Sequence, residues 1–261
     1  MTEESSAAGT QQSLTRGLKV LEVVAEHQPI GVADLARMLA LPKSTVQRTL
    51  RALAQAGWLE VSDTGRARWM LTHHVWAIGQ RAGKETNLRE AALPHMRELG
   101  DATQETVYLS VPDGLTCMVV LERIDSTQPV RAYNRLGATM PFHSCSSGKA
   151  VLAFWPDDRV AEVLSRPLLA QTERTTTDRD AVLAELGEVR ARGYALNTAE
   201  NRPGVCALAA PILGRDGHAV GAICISMPQD RFDWRAVPRW GEIVVDTVRA
   251  VEKAWESAAP A

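Results

Sequence analysis

Apolar residues recur at helical spacing through the first quarter of the chain. After Ser13, a suitable N-cap, Leu14, Leu18, Leu21 and Ala25 stand at i, i+4, i+7 and i+11, which predicts one buried face of a helix. Pro29 ends it, because proline cannot continue the hydrogen-bond ladder. Val32, Leu35, Ala36 and Leu39 predict a second, shorter helix, and Ala40-Leu41-Pro42 turns the chain into a third, running from Lys43 towards Gly57. Trp58–Val61 and Arg66–Leu71 then read as two strands around Asp63-Thr64-Gly65. Two further helical stretches follow, 73–83 and 87–99, punctuated by Gly83 and Gly100.

Beyond residue 100 the pattern changes to strands interleaved with helices. Thr106–Val111 and Cys117–Leu121 flank a Pro-Asp-Gly turn, and Val130–Tyr133 is expected as a third strand. Helices are expected at Ser147–Trp155, Asp157–Leu164 and Arg179–Arg192, the last capped by Thr177-Asp178 and closed by Gly193. Tyr194–Thr198, Ala207–Leu213 and Ala219–Ser226 complete the strands, and Trp234–Ala258 forms a long terminal helix. The expected class is therefore α+β, with a largely antiparallel sheet flanked by helices. The expected divisions are a disordered tail at 1–11, a winged helix-turn-helix domain at 12–72, linker helices at 73–100 and a second domain at 101–261.

Composition sharpens this in two respects. The chain has 261 residues, 45% hydrophobic and 23% charged, a globular profile with too few long apolar runs for a membrane helix. Its start lacks the basic and apolar regions of a secretory signal, and its four cysteines have neither metal-ligand spacing nor a paired framework, so a cytoplasmic protein is expected. The net charge of −2 is divided unevenly. Residues 12–71 carry eight Lys/Arg against five Asp/Glu, whereas 72–261 carry 21 against 24. A nucleic-acid partner therefore belongs to the N-terminal part.

The third helix gives that partner its chemistry. Val46, Thr49, Leu50 and Leu53 share one side, and Ser44, Gln47, Arg48, Arg51 and Gln55 the other, with no acid from 42 to 56. Arginine forks guanine, glutamine pairs with adenine, and an acid-free stripe does not repel phosphates. Ser44, Thr45, Gln47 and Arg48 are expected in the major groove of double-stranded DNA, with Arg16, Lys43, Arg51, Arg66 and Arg68 holding phosphates.

In the second domain, Ser146-Ser147-Gly148-Lys149 invites several readings. It contains the S-x-x-K of acyl-enzymes without that class's companion motifs, and it lacks the first glycine of a phosphate loop. A Ser/Gly loop entering a helix also offers free N–H groups to a small carboxylate. Gly148 and Ala150 equally suit close helix packing. Adjacent His73 and His74 point about 100° apart on a helix and do not form a metal pair.

These segments resemble the IclR-type bacterial transcriptional regulators. The likeness is carried by Ser13-Leu14-Thr15-Arg16-Gly17-Leu18, Leu41 to Leu50, Pro141-Phe142-His143, Ser147-Gly148-Lys149-Ala150, Arg192-Gly193-Tyr194-Ala195 and Gly204 to Pro211. The resemblance implies a winged helix-turn-helix, a linker helix and a GAF-like effector-binding domain. It implies a homodimer or homotetramer, joined through the N-terminal part, on partly palindromic operators, often as a repressor. Small organic or aromatic acids are the implied effectors, with no metal, cofactor or enzymatic activity. Carried over by motif, effector contacts fall on Ser146, Ser147, Gly148, Asn197, Cys206, Cys224 and Ser226. Asn197 stands where some relatives have an acid, and Cys224 where serine can occur. Two rival readings are a thiol sensor using Cys145, Cys206 or Cys224, and a serine acyl-enzyme using Ser146 and Lys149.

Overall fold

The computed structural model describes residues 3–62, 67–79, 81 and 84–258. The chain divides into two compact units, Met1–Gly83 and Lys84–Ala261.

The first unit holds helices α1 (Glu3–His27), α2 (Val32–Met38) and α3 (Lys43–Gln55), the antiparallel strands β1 (Leu59–Ser62) and β2 (Arg68–Leu71), and a short helix α4 (His74–Gly79). Of the expected tail, residues 3–11 belong to α1. The buried stripe of α1 also differs from expectation: Val20, Val23 and Val24 enter the core, while Leu14 and Leu18 are exposed. Two apolar stripes compete on this helix, and the valines win the place against α2 and α3. Leu35, Val46, Leu50, Leu59 and Trp69 complete that core. The expected turn residues 63–65 and Arg66 lie outside the described residues.

The second unit is built on a six-stranded antiparallel sheet. Its strands are β3 (Thr106–Asp113), β4 (Cys117–Ile124), β5 (Thr139–Met140), β6 (Ala195–Thr198), β7 (Val205–Leu213) and β8 (Ala219–Pro228), in the order β5-β4-β3-β8-β7-β6. Alternation sends successive side chains to opposite faces. On one face Val107, Leu109, Leu208, Ile223 and Ile225 pack under α5 (Lys84–Thr103) and α9 (Val237–Ala258). The other face presents Tyr108, Ala209, Ala222 and Cys224 to α6 (Ser146–Ala153), α7 (Asp157–Leu164) and α8 (Arg179–Arg192).

Two expectations need correction here. The connector is not one linker: α5 buries Leu88, Ala92, Met96 and Leu99 in the sheet's core, so it is part of the second unit. Val130–Tyr133 is not a strand. Its carbonyls are taken by side chains instead of a ladder, with Thr106 Oγ1 and Tyr108 OH donating to Ala132 O at 3.1 and 3.2 Å and Arg231 Nη1 to Val130 O at 2.7 Å. The edge place beside β4 falls to β5.

The small side chains on the second face let α6 lie close, and all eight of its residues are buried. Gly148 is required there, since a β-carbon would run into the backbone of Phe142. Gly241 on α9 gives way in the same manner to the ring of Tyr194.

Candidate DNA-reading face and ligand pocket

In the first unit α3 buries Val46 and Leu50 and leaves Lys43, Ser44, Gln47, Arg48 and Arg51 exposed. Pro42 stands at its N-cap and offers no capping side chain. Thr45 is half-buried, and its carbonyl accepts from Thr49 Oγ1 at 3.0 Å. Arg68 is exposed on β2, with Nη1 donating to Pro29 O at 3.0 Å. Arg16 and Arg48 line a groove of about 410 Å³ that also includes Leu14, Leu18, Leu53 and Trp58. Arg66 lies outside the described residues.

In the second unit a pocket opens at the start of α6. Its floor is two rows of the sheet. Asn197, Ala207 and Ser226 are neighbours across β6, β7 and β8, and Ala209, Cys224 and Tyr108 are neighbours across β7, β8 and β3. Cys145, Ser146 and Ser147 form one wall, and Ala132, Asn134, Asn201 and Arg202 form the rim. The free volume is about 30 Å³, room for roughly one or two waters.

Hydrogen bonds fix this wall. Cys145 caps α6 with its sulfur, which accepts from Gly148 N at 3.3 Å, and Lys149 N donates to Cys145 O at 3.0 Å. Among the described residues, the Ser146 and Ser147 N–H groups have no such backbone partner. They are the orphan donors that every helix start leaves. Asn197 Nδ2 donates to Ser144 O at 2.9 Å, and Asn197 Oδ1 accepts from Glu200 N at 3.0 Å. An aspartate would set an oxygen against the Ser144 carbonyl, which accounts for the amide at this position.

Of the sequence-derived effector residues, Ser146, Ser147, Asn197, Cys224 and Ser226 line the pocket. Gly148 serves the packing against Phe142, and Cys206 is one residue out of phase with the lining residue Ala207. The small residues Ala207 and Ala209, alternating with Leu208 and Ala210, carry the signal that could have set this phase. Tyr108, Asn134, Asn201 and Arg202 were also missed. Tyr108 comes from a distant strand, and burial pushes its phenol up to about 12.

The two rival chemistries find little support. Lys149 Nζ donates to Glu185 Oε1 at 2.7 Å and to Glu200 Oε1 and Oε2 at 3.0 and 2.8 Å. Those bonds use all three protons of a wholly buried ammonium, leaving no lone pair to activate Ser146. Burial pushes the Cys145 thiol up to about 12 and the Cys224 thiol to about 11, and it also raises Cys206. A reactive thiol needs the opposite shift and access to solvent. Burial likewise lowers the neighbouring His143 imidazole, which bonds to Leu169 O at 3.1 Å.

A helix-turn-helix unit followed by an α+β unit with a curled antiparallel sheet defines the class as transcriptional regulator. Comparison with known proteins fixes the family. Residues 13–63 match the model of the IclR helix-turn-helix domain, and residues 80–253 that of the bacterial transcriptional regulator IclR C-terminal region. The transcriptional repressor IclR of Escherichia coli is 31% identical over 253 residues, 95% of this chain and 92% of the relative. The HTH-type transcriptional regulator KdgR of the same organism is 32% identical over 222 residues, 84% of this chain and 83% of the relative. Among solved structures, an IclR homolog from Microbacterium hydrocarbonoxydans complexed with 4-hydroxybenzoate is 26% identical. It superposes with a TM-score of 0.81, covering 94% of this chain and 100% of that one. The chain belongs to the IclR family of bacterial transcriptional regulators. These relatives are regulators, not enzymes. Among the described residues, no helix is long and apolar enough to cross a membrane.

Proposed function

We propose that this regulator is a cytoplasmic repressor that binds a partly palindromic operator as a homodimer or homotetramer and is controlled by a small organic or aromatic acid. The observation that carries the reading is the pocket against the start of α6, where two buried N–H groups and three serines meet no carboxylate among the lining residues. A helix start favours an anion there through its unpaired donors and its dipole. The 4-hydroxybenzoate in the Microbacterium homolog supports the acid class, and the name of the Escherichia coli relative supports repression.

On DNA, α3 enters the major groove with Ser44, Thr45, Gln47 and Arg48 towards the bases. Arg16, Lys43, Arg51 and Arg68 hold phosphates, together with Arg66 from outside the described residues. The exposed Leu14 and Leu18 on α1 suit the contact between copies. An acid regulates only if it favours one arrangement of the protein over another, because equal affinity for both shifts nothing.

The test is binding to DNA from upstream of the protein's own gene, at fixed salt, with and without a panel of carboxylic acids. Specific binding that one acid weakens supports the reading, and a complex indifferent to every acid rejects the effector half of it. Replacing Arg48→Ala is expected to cost about 1–3 kcal/mol on the operator and to relax one base position. Unchanged affinity and sequence preference in the same titration would remove Arg48 from the bases.

A further inference from the structure

Arg202 is the one charged side chain among the residues that line the pocket. It stands on the turn between β6 and β7, two residues beyond Glu200, whose carboxylate is held by Lys149. Its guanidinium reaches across the rim to the 130–134 segment. Nη1 donates to Tyr133 O at 2.9 Å and Nη2 to Asn134 Oδ1 at 2.6 Å. Both acceptors are neutral, so this cation closes the rim without meeting a counter-charge there.

A free volume of about 30 Å³ does not admit a carboxylic acid unless the rim yields. The two bonds made by Arg202 tie the rim shut, and entry has to break them. A guanidinium binds a carboxylate through two parallel bonds, each roughly twice as strong as a bond to a neutral acceptor. An acid with a second carboxylate therefore replaces what it breaks by something stronger. An acid with a single carboxylate, seated at α6, leaves Arg202 without replacement partners.

We propose that Arg202 is the specificity-determining residue of the pocket, receiving the second carboxylate of a dicarboxylic acid whose first carboxylate lies at the start of α6. The inference rests on the acid-effector reading above. Arg202 acts as a latch on the empty protein and as a ligand contact on the filled one, and its exchange between the two sets of acceptors selects dicarboxylates over monocarboxylates of equal length.

The test is calorimetric titration of the full-length protein, at fixed salt, with matched pairs: succinate against butyrate, glutarate against pentanoate, and terephthalate against 4-methylbenzoate. At least one dicarboxylate is expected to bind about tenfold tighter than its partner. Arg202→Gln should bring that ratio close to one while leaving the monocarboxylate affinity in place, and Arg202→Lys should keep part of the preference. Generalised damage to the pocket would lower both affinities together, so the ratio separates recognition from structure. A ratio that survives in Arg202→Gln, or a wild-type preference for monocarboxylates, overturns the role of Arg202 and leaves the acid pocket standing. Failure of the wild type to bind any of the six acids overturns the inference, and the pocket reading then stands or falls on the operator titration with its wider panel.

Discussion

Position 148 has space for hydrogen and nothing larger. A methyl group there would enter the carbonyl and α-carbon of Phe142, and backbone cannot step aside as a side chain does. Gly148→Ala is expected to lower stability by about 1–3 kcal/mol, the usual cost of overpacking, as read from denaturant unfolding. An unchanged midpoint would mean that the Pro141–Cys145 segment moves freely. From sequence alone, the Ser-Gly loop left anion binding and close packing equally open. The structure divides the two roles between neighbours: Ser146 and Ser147 line the pocket, and Gly148 lets the helix approach. Cys206 was misassigned for a related reason. A motif locates a strand to within a residue, but one residue of phase decides which face a side chain takes. The register pairing Ala207 with Ser226 puts alanine, not cysteine, on the floor.

At the scale of single elements, the strongest patterns were legible. Helices Asp157–Leu164 and Arg179–Arg192 begin and end where their caps and apolar spacing put them, since Asp178 accepts from Ala181 N and Gly193 closes α8 with a positive φ. The first helix was legible as an element and misread as a surface. Its leucines and its valines make two separate stripes, and periodicity does not say which one the neighbouring helices will cover. Leu14 and Leu18 remain 66% and 52% exposed beside Leu53 and Trp58, an apolar surface with no use in an isolated unit. Replacing both with glutamate should therefore leave the unit folded and shift the protein towards monomer in light scattering. Loss of folding in the far-ultraviolet spectrum would show the leucines to be core, and an unaltered mass would place the contact between copies elsewhere. The loop at 125–138 was not legible. It is shaped by bonds from Thr106, Tyr108, Arg123, Arg202 and Arg231, residues up to a hundred positions away, and no local pattern announces them.

On the scale of the whole chain, composition pointed to two units and a basic N-terminal part. The second boundary needed three-dimensional information, because α5 reads as a linker until its apolar stripe is seen under the sheet. Binding DNA and sensing a small molecule are then tasks of separate cores. The acid-free α3 rests on Val20, Leu35 and Leu50, while the pocket rests on a sheet braced on its far side by α5 and α9.

The complete burial of α6 has a consequence for how such a sensor changes its diet. Every position on that helix is committed, to the Phe142 backbone, to the two glutamates around Lys149 or to the sheet. Variation in taste must therefore be written at the margin, in Asn134, Asn201 and Arg202, where a replaced side chain disturbs few neighbours. The floor keeps the protein folded across generations, and the edge is free to learn a new molecule.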